Sequence, residues 1–291
     1  MKKCMMGAMM ALAFGALAAV PGTPRGYSIF GSDVRRIAQQ RGWTLDKTAE
    51  VLIKLGITGY DDSYQCKDLD AMAKLPLQAA NIYAFIDFSK PDNGREQCVA
   101  AIDAAKRTKC GRIMCLPQGF RNGVEDEAQF QEIVRGMTMF VQLADAAGVK
   151  VTTEPLGGNR ACPSSYLKYL KRMLKEIPGL RMTVDSGNLV YAGRGDSVLE
   201  LVELVKNDLE HLHLKDLTKE DNHHYATMGE GQVPNEAVVK RLIAAGYSGW
   251  FTIENPVGAD TLKDVLRQMD IIQGWVNEAR RAAILDAADK R

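Results

Sequence analysis

The chain has 291 residues, of which 46% are hydrophobic and 25% charged, with 26 Gly and 10 Pro. This suits one large domain of about 250 residues plus a tail and excludes collagen, coiled coil and wholesale disorder. The 37 basic and 36 acidic side chains leave a net charge of +1, so no strong field draws in nucleic acid or anionic lipid, and small or neutral partners are expected.

Lys2 and Lys3 precede Met5 to Val20, an uncharged apolar and small-residue run that passes through Ala16-Leu17-Ala18. This order predicts a secretory signal peptide over residues 1–18 (to about 20), and hence an exported, periplasmic or secreted protein. At about 16 residues the run is short for a membrane span, so no stable membrane insertion is expected after cleavage. Cys4 lies ahead of the apolar run, where a lipoprotein cysteine would follow it. Cys66, Cys98, Cys110, Cys115 and Cys162 remain, an odd set without a C-x-x-C pair, which argues against a zinc knuckle. Cys115, inside Arg112-Ile113-Met114-Cys115-Leu116, reads as a buried small hydrophobe. An oxidising compartment permits one or two disulfides that the sequence does not assign.

Downstream, one unit recurs. Tyr27 to Phe30 is the first strand candidate. Helical patterns over Thr48–Leu55, Leu69–Lys74 and Glu96–Lys106 precede strands over Gly56–Tyr60, Ala80–Phe85 and Gly111–Leu116. Between Asp126 and Ala147, Phe130, Ile133, Val134, Met137, Phe140, Val141 and Ala144 recur at helical spacing; Gly148 stops the helix and Val149-Lys150-Val151 begins a strand. Ser165 is expected to cap a helix carrying Leu167, Leu170, Leu174 and Ile177, ended by Pro178-Gly179 before the strand Leu180–Val184. Val198–Val205 leads into Leu209–Leu214, and Val238–Ala245 into Gly249–Ile253. A helical tail from Asp264 to Lys290 carries Leu266, Met269, Ile272 and Val276, and a second copy of the chain is a candidate partner for its outer part. Eight strands separated by helices require parallel pairing through right-handed crossovers. The fold predicted for residues 27–291 is therefore α/β, a single (β/α)8 TIM barrel. The alternative, an open doubly wound sheet, lacks the Gly-rich phosphate loop expected after its first strand.

In such a barrel the carboxyl ends of the strands form one rim. Glu154 closes Val151-Thr152-Thr153, Asp185 closes Met182-Thr183-Val184, His213 lies in His211-Leu212-His213, and Glu254 closes Phe251-Thr252-Ile253, at separations of 31, 28 and 41 residues. Each separation is about one strand-helix unit, so the four side chains converge. Taken singly, a carboxylate after a strand is often a helix cap. Jointly, three clustered carboxylates repel and raise one another's pKa values unless a cation neutralises them. An O,O,O,N donor set without thiolate suits one divalent metal: Mn²⁺, Mg²⁺ or Co²⁺, with Zn²⁺ also admissible.

Thr153-Glu154-Pro155, Val184-Asp185-Ser186-Gly187-Asn188, His211-Leu212-His213-Leu214-Lys215-Asp216, Gly229-Glu230-Gly231-Gln232 and Gly246 to Asn255 resemble the successive motifs of the xylose-isomerase-like TIM barrels. This superfamily of sugar isomerases and epimerases also holds a branch of DNA-repair endonucleases. The resemblance runs from about Tyr27 to Asn255. It implies that Glu154, Asp185, His213 and Glu254 bind one divalent metal, and that Glu154 and Glu254 also move the substrate proton as catalytic residues. Epimerisation needs a proton donor on each face of the carbon, and aldose-ketose isomerisation needs return at the neighbouring carbon.

The departures narrow this. His211, His213, His223 and His224 all follow residue 210, so the earlier strands lack the extra histidines of the trinuclear-zinc nucleases and of true xylose isomerases. No nucleic-acid partner is expected. Asn188 stands where related epimerases often carry a substrate-binding His, and it remains able to bind a sugar hydroxyl. His211 faces the same side of its strand as His213 and is read as a supporting or substrate-contacting residue, against the blander reading of a satisfied interior histidine. Lys215 is read as a substrate contact able to polarise an oxyanion, or else as a solvated charge. His223 and His224 fall in a polar stretch that reads as a lid or a loop tip, and Trp250 as packing. The partner expected is a small-molecule sugar, and the function a metal-dependent sugar isomerase or epimerase working through an enediolate on a keto sugar or glycan-derived sugar. The alternatives are a lyase eliminating the aglycone of 3-keto glycosides by the same enolisation, and a non-catalytic sugar- or metal-binding barrel.

Overall fold

The computed structural model describes residues 21–156 and 162–289. The expected signal peptide and Cys4 lie outside the described residues. Eight parallel strands close into a barrel: β1 (Gly26–Phe30), β2 (Ile57–Ser63), β3 (Gln78–Ile86), β4 (Arg112–Pro117), β5 (Lys150–Thr153), β6 (Arg181–Asp185), β7 (Leu209–Leu214) and β10 (Trp250–Ile253). The short strands β8 (Asp216–Leu217) and β9 (Tyr225–Ala226) pair antiparallel outside it. Barrel neighbours follow chain order, and Gly26–Ile29 of β1 pairs in register with Trp250–Ile253 of β10. That closing pair makes the fold a (β/α)8 TIM barrel and excludes the open sheet, which would leave both edges free.

The helices are α1 (Gly31–Arg41), α2 (Leu45–Lys54), α3 (Leu69–Met72), α4 (Arg95–Arg107), α5 (Glu127–Ala146), α6 (Leu167–Glu176), α7 (Ser186–Tyr191), α8 (Val198–Val205), α9 (Asn235–Ala244) and α10 (Thr261–Asp289). Their ends follow ordinary capping chemistry. Asp126 accepts the Gln129 N–H at 2.8 Å to open α5, and Gly148 takes a left-handed φ of 72° just beyond its end. The expected cap at Ser165 is corrected: its hydroxyl is spent on the Leu156 carbonyl, and Tyr166 occupies the N-cap of α6 without a side-chain bond. Helices α1 and α7 have no counterpart in the sequence reading. The buried apolar face of α1 is only Val34, Ile37 and Ala38, and α7 has 6 residues, too short to show a period.

The apolar core lies between the strands and the helices. On β6, β7 and β10 the residues facing the helices are Met182 and Val184, Leu212 and Leu214, and Phe251 and Ile253, all within the main hydrophobic cluster. Each such buried side chain contributes about 1.5–3 kcal/mol relative to exposure. The alternate residues, Thr183 and Asp185, His211 and His213, and Thr252, turn into the barrel. This interior is polar where barrels usually carry branched aliphatics. Trp250 fills one end of it, consistent with packing: a Cβ added at Gly26 or Gly59 would come within 2.6 Å of its ring. Cys66, Cys98, Cys110 and Cys115 are free thiols. No described helix is long and apolar enough to cross a membrane.

Candidate active site

Glu154, Asp185, His213 and Glu254 stand at or just beyond the carboxyl ends of β5, β6, β7 and β10. Register brings them together: Asp185 pairs with His213, and Thr252 pairs with His213 from the other side, which leaves Glu254 one step higher. His213 Nδ1 lies 2.8 Å from Glu154 Oε1 and 3.6 Å from Glu254 Oε2. Lys215 Nζ lies 2.7 Å from Asp185 Oδ2 and 2.9 Å from Glu254 Oε1. Glu154, Asp185 and His213 each offer a ligand atom within 4.8 Å of the other two. Glu254 flanks this triad, half-buried, held by Lys215 and by Asn255 Nδ2 at 3.0 Å.

The buried atoms Glu154 Oε1 and Asp185 Oδ2 accept no directed hydrogen bond, although each lies at ion-pair distance from a nitrogen. These two carboxylate oxygens and His213 Nδ1, once it gives up its hydrogen, form a donor set that fits a divalent cation. The electrostatics agree. Burial, with Glu254 and Glu154 nearby, pushes the Asp185 carboxyl well above the usual carboxylate range despite Lys215. Burial opposes ionisation of Glu254 too, but Lys215 and His213 outweigh it and hold that carboxyl below its ordinary value. His213 is raised well above an ordinary histidine, because Glu154 and Asp61 more than offset the cost of burying its charge. Three carboxylates thus share two cationic partners, Lys215 and His213.

The substrate-side residues fall differently from expectation. Asn188 is half-buried; its Nδ2 donates to Glu154 Oε2 at 3.2 Å and its backbone N–H to Asp185 Oδ1 at 3.1 Å, so it steers two of the four rim residues. Lys215 is buried, which excludes the solvated-charge reading, and its stem crosses so close to Gly187 that an added Cβ there would meet it at 2.5 Å. The substrate contact expected of His211 is corrected: its ring is fully buried, with Nε2 2.6 Å from Thr252 Oγ1 and Nδ1 3.4 Å from Arg112 Nη1. Both nitrogens are engaged, so a ligand finds no free edge.

One residue of the site escaped sequence reasoning. Asp61, fully buried on β2, lies 3.1 Å through Oδ2 from His213 Nε2 and 2.9 Å from His211 Nε2. Burial alone would raise this carboxyl, but the two histidines hold it well below the usual range. The signal is present in the sequence: Asp61-Asp62 closes Ile57-Thr58-Gly59-Tyr60 in the pattern that marks the other rim residues, and the strand runs past the expected end at Tyr60 to Ser63.

Above the cluster, Phe30 sets its ring edge-on to His213 at 5.4 Å and packs on Tyr83 at 5.9 Å. A cleft of about 500 Å³ opens from Glu254, lined among others by Phe30, Asp33, Arg36, Tyr225 and Asn255. His224 also lines it, from the loop joining β8 to β9, while His223 packs on Tyr191 at 4.4 Å.

The profile of a family described as xylose isomerase-like TIM barrel matches residues 58–273. The inosose dehydratase of Clostridium perfringens is 23% identical over 173 residues, 53% of this chain and 57% of that one. The chain spans about half the length of the curated relatives it matches. A D-tagatose 3-epimerase-like protein superposes with a TM-score of 0.68 at 19% identity, covering 87% of this chain and 98% of that one. An L-ribulose 3-epimerase gives 0.69 at 15% identity, covering 90% and 94%. At these identities the structural likeness is one of fold.

Proposed function

Because the chain belongs to the xylose isomerase-like TIM barrel family, we propose that it is a divalent-metal-dependent sugar isomerase or epimerase, moving a proton through an enediolate on a keto sugar or glycan-derived sugar. The observation that carries this is the pair Glu154 and Glu254, placed 2.8 and 3.6 Å from the same His213 nitrogen and reaching it from different strands. Binding alone does not need two such carboxylates.

Glu154, Asp185, His213 and Glu254 would hold the cation, Mn²⁺, Mg²⁺, Co²⁺ or Zn²⁺. When bound, it supplies positive charge that acidifies the C–H beside a substrate carbonyl and stabilises the enediolate oxygens. The protein's own groups do the rest. A substrate carbon lying between Glu154 and Glu254 meets a carboxylate on each face: one takes its proton, and the other returns a proton to the opposite face or to the neighbouring carbon. Asn188 occupies Oε2 of Glu154 and leaves Oε1 turned inward. Lys215 fixes Glu254 and places an ammonium beside any oxygen that gains charge. Phe30, backed by Tyr83, sets an aromatic edge against His213 on the β1–β3 side. The leader-like residues 1–18 support an exported protein, which favours a glycan-derived substrate over a cytosolic sugar phosphate.

A second reading is elimination. Once the α-proton has gone, loss of an oxygen substituent at the β-carbon needs no new base, and one relative is named a dehydratase. Product mass separates the two: a stereoisomer or isomer keeps the substrate mass, whereas elimination releases water or an aglycone.

The test is metal content together with deuterium incorporation into a panel of keto sugars and 3-keto glycosides in heavy water, wild type beside Glu254→Gln. About one divalent ion per chain is expected, with exchange falling by at least about 10²-fold in the variant. No bound ion after reloading, with no exchange on any substrate, would overturn the reading.

A further inference from the structure

Beneath the rim, four strands contribute one connected set of buried polar side chains: Ser28 from β1, Asp61 from β2, His211 from β7 and Thr252 from β10, with Arg112 of β4 at its lower edge. Ser28 Oγ lies 3.1 Å and Thr252 Oγ1 3.2 Å from Asp61 Oδ1, and the two hydroxyls are 2.6 Å apart. Asp61 Oδ2 faces His211 Nε2 at 2.9 Å and His213 Nε2 at 3.1 Å. We propose that Asp61 is a positioning residue: it fixes the hydrogen of His213 on Nε2 and so turns a bare Nδ1 toward Glu154, Asp185 and Glu254, the arrangement in which this imidazole can ligate a cation.

The donors and acceptors of the set place the hydrogens of its two histidines. Arg112 can only donate, so His211 Nδ1, 3.4 Å from its Nη1, accepts. A neutral His211 then carries its hydrogen on Nε2, where Thr252 Oγ1 at 2.6 Å and Asp61 Oδ2 receive it. An ionised carboxylate only accepts, so the His213 nitrogen facing Oδ2 is also a donor. One ring nitrogen of His213 is thereby committed downward, and the other, 2.8 Å from Glu154 Oε1, faces the rim and is the one that gives up its hydrogen to a cation. Metal-bound imidazoles depend on such a carboxylate on their far nitrogen, which holds the ring plane and raises its basicity. Asp61, His211 and His213 also lie close enough to suggest a second cation site. The hydrogens argue against it: both histidine Nε2 atoms carry the hydrogen they turn to Asp61 Oδ2, and Oδ1 takes a hydroxyl hydrogen from Ser28 or Thr252.

This inference rests on the ligand set proposed above, and the test separates the two. The full chain is labelled with ¹⁵N-histidine, His223 and His224 being assigned through their Gln variants, and imidazole spectra are taken metal-free and with zinc. Metal-free at neutral pH, His211 is expected to show hydrogen on Nε2 and a bare Nδ1. With zinc, His213 is expected to bind through Nδ1 and keep its Nε2 hydrogen. Zinc affinity should fall by about 10–100-fold in Asp61→Ala and by less in Asp61→Asn, which keeps an acceptor oxygen for the ring, with the far-ultraviolet circular dichroism of both unchanged. Zinc bound through His213 Nε2, hydrogen on His211 Nδ1, or equal affinity in a folded Asp61→Ala would overturn the inference. So would two zinc ions in the wild type with one lost in Asp61→Ala, because Asp61 would then be a ligand. If the wild type binds no zinc, the proposed ligand set fails, and metal-free spectra of the neutral ring still decide: hydrogen kept on Nε2 of His213 supports the role of Asp61, and hydrogen kept on Nδ1 overturns it. Should Asp61→Ala not fold, Asp61→Asn and the wild-type spectra carry the test.

Discussion

Asp33 shows how a single side chain at the cleft couples to the whole fold. It lies buried in the first turn of α1 and lines the cleft that opens from Glu254. Burial pushes its carboxyl up to about 6, with Glu254 adding to the rise and Arg36 opposing it. A carboxyl raised on folding makes the native state bind more protons than the unfolded chain between pH 4 and 6. Stability is therefore lost, not gained, as the pH climbs through that window. Asp33→Asn removes the buried charge, so at pH 7–8 it should stabilise the protein by up to about 3 kcal/mol. The gain should shrink toward zero as the pH approaches 4. Urea unfolding of wild type and variant across this range measures it, and a gain that stays constant with pH would refute the argument. The site itself was largely legible at this scale, because a charged residue closing an apolar strand is visible without a structure. The polar partners Arg112, Ser28 and Thr252 were not, since nothing local distinguishes an inward Ser or Thr in a strand from a β-former chosen for its shape.

Among the elements, the loop between β7 and α9 is organised by one carboxylate. Asp216 accepts backbone N–H groups from Leu217 at 2.8 Å, Gly229 at 2.9 Å, Gly231 at 3.1 Å and Val233 at 3.0 Å. This explains the Gly-Glu-Gly-Gln motif: at Gly231 a Cβ would come within 2.1 Å of the Leu217 carbonyl and 2.2 Å of Asp216 Oδ1, and Gly229 holds a left-handed φ of 82°. In Asp216→Asn the amide NH₂ faces two of these donors. The expected cost is about 2–3 kcal/mol, charge-assisted bonds being the stronger kind, with faster amide hydrogen exchange across residues 217–233. Unchanged protection there would mean that the loop is held by something else. Strands were readable because each apolar run sits between a helix stop and a polar closure. Helix α1 was not, because three buried apolar residues on an otherwise polar helix give too weak a period, and β2 was cut short where its polar Asp61 and Asp62 turn out to be buried.

At the scale of the molecule, α10 is covered along one stretch and bare along another. Ile272 is fully buried, whereas Ile284 and Leu285 are 58% and 64% exposed. Ile272→Ala should cost about 2–5 kcal/mol, and Ile284→Ala no more than about 0.5. Unfolding midpoints measure both, and comparable losses would mean that the outer stretch is buried in solution. A loss at Ile284 that depends on protein concentration would identify a second copy as what covers it.

The sequence by itself determined the eight-strand order, the outward apolar jacket and the convergence of Glu154, Asp185, His213 and Glu254, because period and strand-end position are local properties of the chain. Only the tertiary structure decided what those residues face. Barrel closure sets β1 and β7 on either side of β10 and so puts Asp61 under His213 across the interior, 152 residues apart in the chain. It buries His211 out of a ligand's reach and runs Lys215 between two carboxylates. Those contacts depend on register and distance between strands, and neither is written in any one segment.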